Sequence, residues 1–173
     1  SAVSAQAKAS AARPGKVAWG GQRSGLPWKS GASGAGVAFE AWRGRRLDIK
    51  TGFLSVRYDW AELTKTSFVK NIVDGGYIPV LGVGLLPREA RGQLAECAAG
   101  QFDAHILRIG RGLVAAGAGN AILRLGWEAN RLGSFAWGVV GDGSTWKGCF
   151  RRWVSLLRSV PGQAFTIDFN MGA

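Results

Sequence analysis

The sequence has no apolar run approaching the roughly 20 residues that a membrane-spanning helix requires, so no such span is expected. Cysteine occurs only twice, at Cys97 and Cys149, and neither stands in a metal-ligand spacing. Histidine occurs once, as His105 on a predicted helix far from any strand end, so no metal or catalytic role is expected of it. No G-x-G-x-x-G or Walker-type loop follows the first predicted strand, which argues against a nucleotide-binding doubly wound sheet. No fixed motif recurs at a spacing of about 20 to 50 residues, so a repeat architecture is not indicated. Nothing in these absences calls for a metal or another cofactor.

Acidic residues are also scarce: 11 Asp and Glu stand against 22 Lys and Arg, a formal net charge of +11. Such a balance favours acidic partners, among them nucleic acid, anionic lipid and acidic polysaccharide. The basic residues are scattered, however. The densest groups are Arg43, Arg45 and Arg46, then Arg151 and Arg152. With no basic stripe and no binding motif, a solvated basic surface is expected and a nucleic-acid site is not.

What is present is a packed chain. It has 173 residues, 47% hydrophobic with eight Trp, which fits one globular domain with a substantial core. Residues 1–15 form an Ala/Ser-rich stretch without an apolar segment. As they stand they do not read as a signal peptide, and their composition predicts a flexible arm. Residues 16–173 then form the domain.

Strand-like and helix-like segments alternate through it. Strands are expected at residues 16–20, 47–56, 77–86, 121–125 and 164–169, with a Gly/Ser-rich loop up to Gly36, and helices at residues 37–42, with Val37, Ala38 and Ala41 on one side, 67–73 and 93–116. A further helix is the clearest: Trp146, Cys149, Phe150, Trp153, Val154 and Leu157 recur as one wide apolar stripe, closed by Pro161 and Gly162. Cys97 and Cys149 fall on successive helices, which leaves a disulfide and two buried thiols as alternatives. Four strand–helix units and a fifth strand are the pattern of a parallel α/β sheet. Functional residues just past the strand ends suit a (β/α)8 TIM-type barrel. About five parallel strands and four helices of such a barrel are expected here, open or completed by a partner.

The chemistry concentrates in AILRLGWEANRLGSFAWG, residues 121–138. An apolar strand delivers Arg124, Trp127, Glu128 and Asn130 at its C-terminal end, with Trp137 following in the loop. A carboxyl there, flanked by Trp127 and near Trp137, would be partly desolvated and so suited to general-acid work. The plainer alternative is an Arg124–Glu128 ion pair. Trp19, Trp60, Trp127 and Trp137 fall at or after strand ends, where flat aromatic faces suit sugar rings; the alternative is that some of them, Trp19 first, fill the core. Trp42, Trp146 and Trp153 belong to helices and are expected to pack. Asp168 is a further carboxylate on the same rim, expected to line a cleft without being catalytic.

These segments resemble the family 26 glycoside hydrolases and their relatives among the retaining β-glycanases. The resemblance runs through VAFEAWRGRRLDI, the pair Asp59 and Trp60, GGYIPVLGVGLLP, AAGQFDAH, LVAAGAGNAILRLGWEAN and FRRWVSLLRSVPG, in the family's order. It implies a secreted β/α barrel that cleaves β-linked polysaccharides such as mannans by a retaining mechanism. The acid/base glutamate at the end of the fourth strand maps onto Glu128. The residue before it, usually Asn or His, is Trp127 here, which leaves the sugar open. The family's nucleophile lies on the seventh strand, beyond the five expected in this chain. Three explanations follow: a piece of a larger enzyme, a barrel completed by another chain, or a non-catalytic structural protein that self-assembles through open strand edges.

Overall fold

The computed structural model describes residues 29–34, 37–131 and 133–172. Both the expected arm at residues 1–15 and the expected strand at residues 16–20, with Trp19, lie outside the described residues. Among the described residues the chain forms an α/β fold with one parallel five-stranded sheet: β1 (Gly31–Ser33), β2 (Ile49–Phe53), β3 (Ile78–Val83), β4 (Ile122–Leu125) and β5 (Thr166–Asp168). Six helices connect them: α1 (Val37–Arg43), α2 (Trp60–Leu63), α3 (Val69–Asp74), α4 (Leu94–Ala98), α5 (Asp103–Ala115) and α6 (Ser144–Ser159).

The strands lie side by side in chain order, β1-β2-β3-β4-β5, with every neighbouring pair parallel. Connections between parallel neighbours are right-handed as a rule, which places the connecting helices on one face. Among the described strands the order never reverses, so they hold no switch point of the doubly wound kind. This arrangement is compatible with the wall of a β/α barrel.

The register assigns each residue to a face. Leu81 and Val83 of β3 stand beside Leu123 and Leu125 of β4, and all four are fully buried under the helices. On the opposite face Phe53, Gly82, Arg124 and Asp168 form one row across four strands. Thr51, Val80, Ile122 and Thr166 form the next. None of those side chains is fully buried, and Phe53 remains 49% exposed.

The helix expected over residues 93–116 is broken. Its first part is α4 and its second α5, because Gly100 takes a left-handed φ of 93° and the chain end of α4 closes with Gly100 N–H donating to Cys97 O and Gln101 N–H to Glu96 O. Such a closure is the common glycine stop of a helix. The connection between β2 and β3 likewise holds two helices, so the expected four become six. Asp59 explains the start of α2: its Oδ1 accepts the Glu62 N–H at 2.8 Å as an N-cap.

α1 stands where expected but faces the other way. Ala38 and Ala41 are exposed, and Trp42 is 81% exposed, so Trp42 does not pack as its helical position suggested. The buried side chain is Glu40, whose Oε1 accepts the Leu47 N–H at 2.7 Å. This carboxylate anchors the helix by satisfying a backbone donor that would otherwise be buried unpaired. β1 also arises in a Gly/Ser stretch expected to be loop. Its first residue has no side chain because a Cβ on Gly31 would lie 2.5 Å from that of Ile49. The buried carboxylate of Asp48 fixes the entry, accepting the Ser30 N–H at 2.9 Å while Asp48 N–H donates to Ser30 O.

α6 seals the other end of the sheet. Trp146, Cys149, Trp153 and Leu157 are buried along one side as the stripe requires, and the Trp153 indole N–H donates to Leu85 O at 3.1 Å. Cys97 and Cys149 form a disulfide between α4 and α6, with Cα atoms 5.1 Å apart. Their separation of 52 residues gives a loop-closure contribution of roughly 4 kcal/mol. No described helix is long and apolar enough to cross a membrane.

Candidate functional site

Three connections converge at the C-terminal ends of β2, β3 and β4. Arg88 N–H donates to Val56 O at 3.0 Å and Glu89 N–H to Tyr58 O at 2.9 Å, lacing the loop after β2 to the loop after β3. Arg91 reaches the loop after β4, its guanidinium donating to Gly133 O at 3.3 Å and Phe135 O at 3.2 Å. In a parallel α/β architecture this end of the strands is where binding residues gather.

Glu128 lies three residues past β4, following Gly126, and has a φ of 52°. It is the one non-glycine residue with positive φ among those described. That conformation costs roughly 1–2 kcal/mol for an L-residue, and such strain gathers at functional sites. The Glu128 N–H donates to Asn170 O at 2.9 Å, which joins the turn after β4 to the stretch after β5. Its side chain is 29% exposed and pairs with Arg131 at 3.2 Å, not with Arg124. Arg124 pairs instead with Asp168, at 3.5 Å, on the uncovered face of the sheet.

Asn130 supports the same junction. Its Nδ2 donates to Gly172 O at 3.0 Å and its Oδ1 accepts the Gly172 N–H at 2.8 Å. Both ends of the carboxamide thus hold the chain after β5, which makes Asn130 a positioning residue in this structure.

The tryptophans divide differently from their sequence positions. Trp137 is fully buried, donates its indole N–H to Trp127 O at 2.9 Å, and stacks on Phe135 with ring centres 4.7 Å apart. Trp127 is 8% exposed and meets Phe53, Phe135 and Trp137 edge-on. Trp60 is buried between Phe102 and His105, stacked on the imidazole at 4.8 Å. Trp60 and Trp137 therefore present no open ring face to a ligand. Phe53 and Phe135 do reach the surface, and the sequence pattern gave them no prominence.

Gly84 explains the burial of Trp137. A Cβ there would lie 2.3 Å from the Trp137 ring and 2.7 Å from Val56. The missing side chain is the space that the indole occupies.

Two grooves open beside this aromatic cluster. One, of about 590 Å³, is lined by Phe53, Ser55, Arg57, Arg88, Trp127 and Ser134 among others. The other, of about 870 Å³, is lined by Leu94, Asn130, Val139, Val140, Thr145 and Met171 among others. Arg91, Phe135 and Ala136 form the wall between them. Both volumes lie in the range of ligand-binding clefts. Arg57, Arg88 and Arg91 were not singled out by the sequence; their positions just past β2 and β3 are the signal that finds them. Among the described residues no three His, Cys, Asp or Glu side chains come together as a metal site. No protein-family model matches the chain, and no curated protein matches it either.

Proposed function

We propose that this chain is the N-terminal wall of a secreted glycosidase-type β/α barrel whose C-terminal rim binds a β-linked polysaccharide of the mannan type. Glu128 is the acid/base in this reading. The observation that carries it is the strained backbone of Glu128 three residues after the fourth strand, with a part-exposed carboxylate and with Trp127 and Asn130 on either side of it in the chain lining the two grooves. A retaining reaction needs a second carboxylate about 5–5.5 Å away as nucleophile. Asp168, already paired with Arg124 on the sheet face, is not that group in this reading. The resemblance assigns the nucleophile to a later strand of the barrel. The Cys97–Cys149 bridge supports an oxidising, extracellular setting.

The test has two arms. Retention of the chain on immobilised β-linked polymers of the mannan type is expected, and failure to bind any of them, neutral or acidic, counts against the glycan rim. With the later strands supplied, β-mannan cleavage is expected, and Glu128→Gln lowers kcat by at least about 10²-fold. Undiminished cleavage by that variant sinks the assignment of Glu128.

A second reading has its own observation. Phe53 on the sheet face opposite the helices, and Phe169 and Met171 just past β5, are each about half exposed, large apolar side chains of the kind that association buries. A self-assembling structural protein built on that face gives a large, regular particle by light scattering. A monomer or dimer excludes it.

A further inference from the structure

We infer that the glycan taken by the groove beside Phe53 is anionic, an acidic β-linked polysaccharide held by Arg57, Arg88 and Arg91. This inference rests on the glycan-binding reading above and narrows its substrate class. The groove, about 590 Å³, has three arginines in its lining and no acidic residue. Backbone hydrogen bonding brings two of them together: Arg88 N–H is held on Val56 O, one residue before Arg57. The third, Arg91, is fixed by two carbonyls of the neighbouring loop.

The nearby carboxylates are occupied elsewhere. Glu89 accepts the Trp60 N–H at 3.0 Å, Asp59 caps α2, and Glu128 pairs with Arg131. Arg57 and Arg88 form no ion pair within the described residues, and both are exposed. The remaining lining supplies what a sugar needs: the edge and face of Phe53 and Phe135 for a ring, and the hydroxyls of Ser55 and Ser134 for its oxygens. A neutral mannan makes no use of three clustered positive charges. A sugar acid does, because a guanidinium fork matches a carboxylate or sulfate with two parallel hydrogen bonds.

The test is affinity measured by titration calorimetry and retention on matched polymers. The probes are neutral β-mannan, polymannuronate for a carboxylate source, sulfated β-mannan for a sulfate source, and a single-stranded oligonucleotide as a charge control. The expected result is binding of polymannuronate or sulfated β-mannan at least tenfold tighter than β-mannan, weakening as salt is raised. Which of the two binds identifies the acidic group. Arg57→Glu and Arg88→Glu should each lower that affinity at least tenfold, while Arg151→Glu on the outer face of α6 leaves it unchanged.

Equal affinity for β-mannan and both acidic polymers overturns the inference and leaves the glycan-binding proposal standing. Binding to none of the three glycans overturns both. A loss as large from Arg151→Glu, or oligonucleotide binding as tight as that of the acidic glycan, shows that net charge acts without the groove and overturns the inference.

Discussion

On the helix side of the sheet Leu81, Val83, Leu123 and Leu125 are fully enclosed, while on the other side the same strands carry Phe53, Arg124 and Asp168 part-open to solvent. The enclosed side is reinforced by a disulfide, a buried indole hydrogen bond to Leu85 O, and an Asp103–Arg152 ion pair between α5 and α6. The open side has one solvated ion pair, the kind worth about 0–1 kcal/mol. Stability is thus concentrated on one face, and the other is free to hold groups chosen for what they contact. The rim at the C-terminal ends lies where these two regimes meet, and there the backbone of Glu128 is strained.

The contrast can be broken most severely at Trp153. Trp153→Ala removes a fully buried ring and leaves Leu85 O without its donor, so a loss of about 3–5 kcal/mol is expected in urea unfolding. A loss below about 1 kcal/mol would mean that α6 is not essential to the enclosed side.

A pair of glycines sharpens it. Gly84 and Gly82 both stand where a Cβ would meet an aromatic ring at 2.3 Å, Trp137 for the first and Phe53 for the second. Trp137 is locked in the core, so Gly84→Ala should cost about 1–3 kcal/mol. Phe53 is half exposed and can turn aside, so Gly82→Ala should cost less. Equal midpoint shifts in thermal melts would show that the open face is as tightly packed as the closed one.

Glu128 tests the rim itself. Glycine accepts a positive φ without strain, so Glu128→Gly should leave stability unchanged or raise it by up to about 1 kcal/mol. Loss of more than that on chemical unfolding would make Glu128 a structural residue.

The smallest effect concerns pH. Hydrogen bonds from Arg152 hold the Asp103 carboxyl below its usual range. A depressed folded-state pKa stabilises above the unfolded value, and the stabilisation fades as pH falls through the folded one. Asp103→Asn should therefore lower the denaturation midpoint at pH 7, by less than the other substitutions that destabilise. The gap between variant and parent should close as the pH falls below the ordinary carboxylate range. A gap that persists in acid would show that the ion pair is not its source.

Much of the fold was legible because it depends on local pattern. The α6 stripe and the short apolar β3 and β4 could be read from spacing and from β-branched content. The break at Gly100 was missed because the apolar spacing continues across it, from Ala98 through Phe102 to Ile106, and only the glycine marks the turn. α1 was read inside out, since its alanines suggested a core face while burial went to Glu40, whose partner Leu47 is seven residues away. At the rim, Glu128 and its neighbours were found by position after an apolar strand. The partners of Arg124 and Glu128 were not, because the choice between Asp168 and Arg131 is made by strand register and turn geometry.

The sequence by itself determined the alternation of strands and helices, the parallel sheet and the cluster of polar and aromatic residues after the fourth strand. Periodicity and composition act over a few residues and need no partner. Tertiary structure alone decided which face each strand residue joins, that Cys97 meets Cys149, that Trp60 and Trp137 are enclosed while Phe53 is open, and that Arg57, Arg88 and Arg91 share one groove. Each of those is a contact between distant segments, set by register, by close approach at glycine and by which loops the sheet brings side by side.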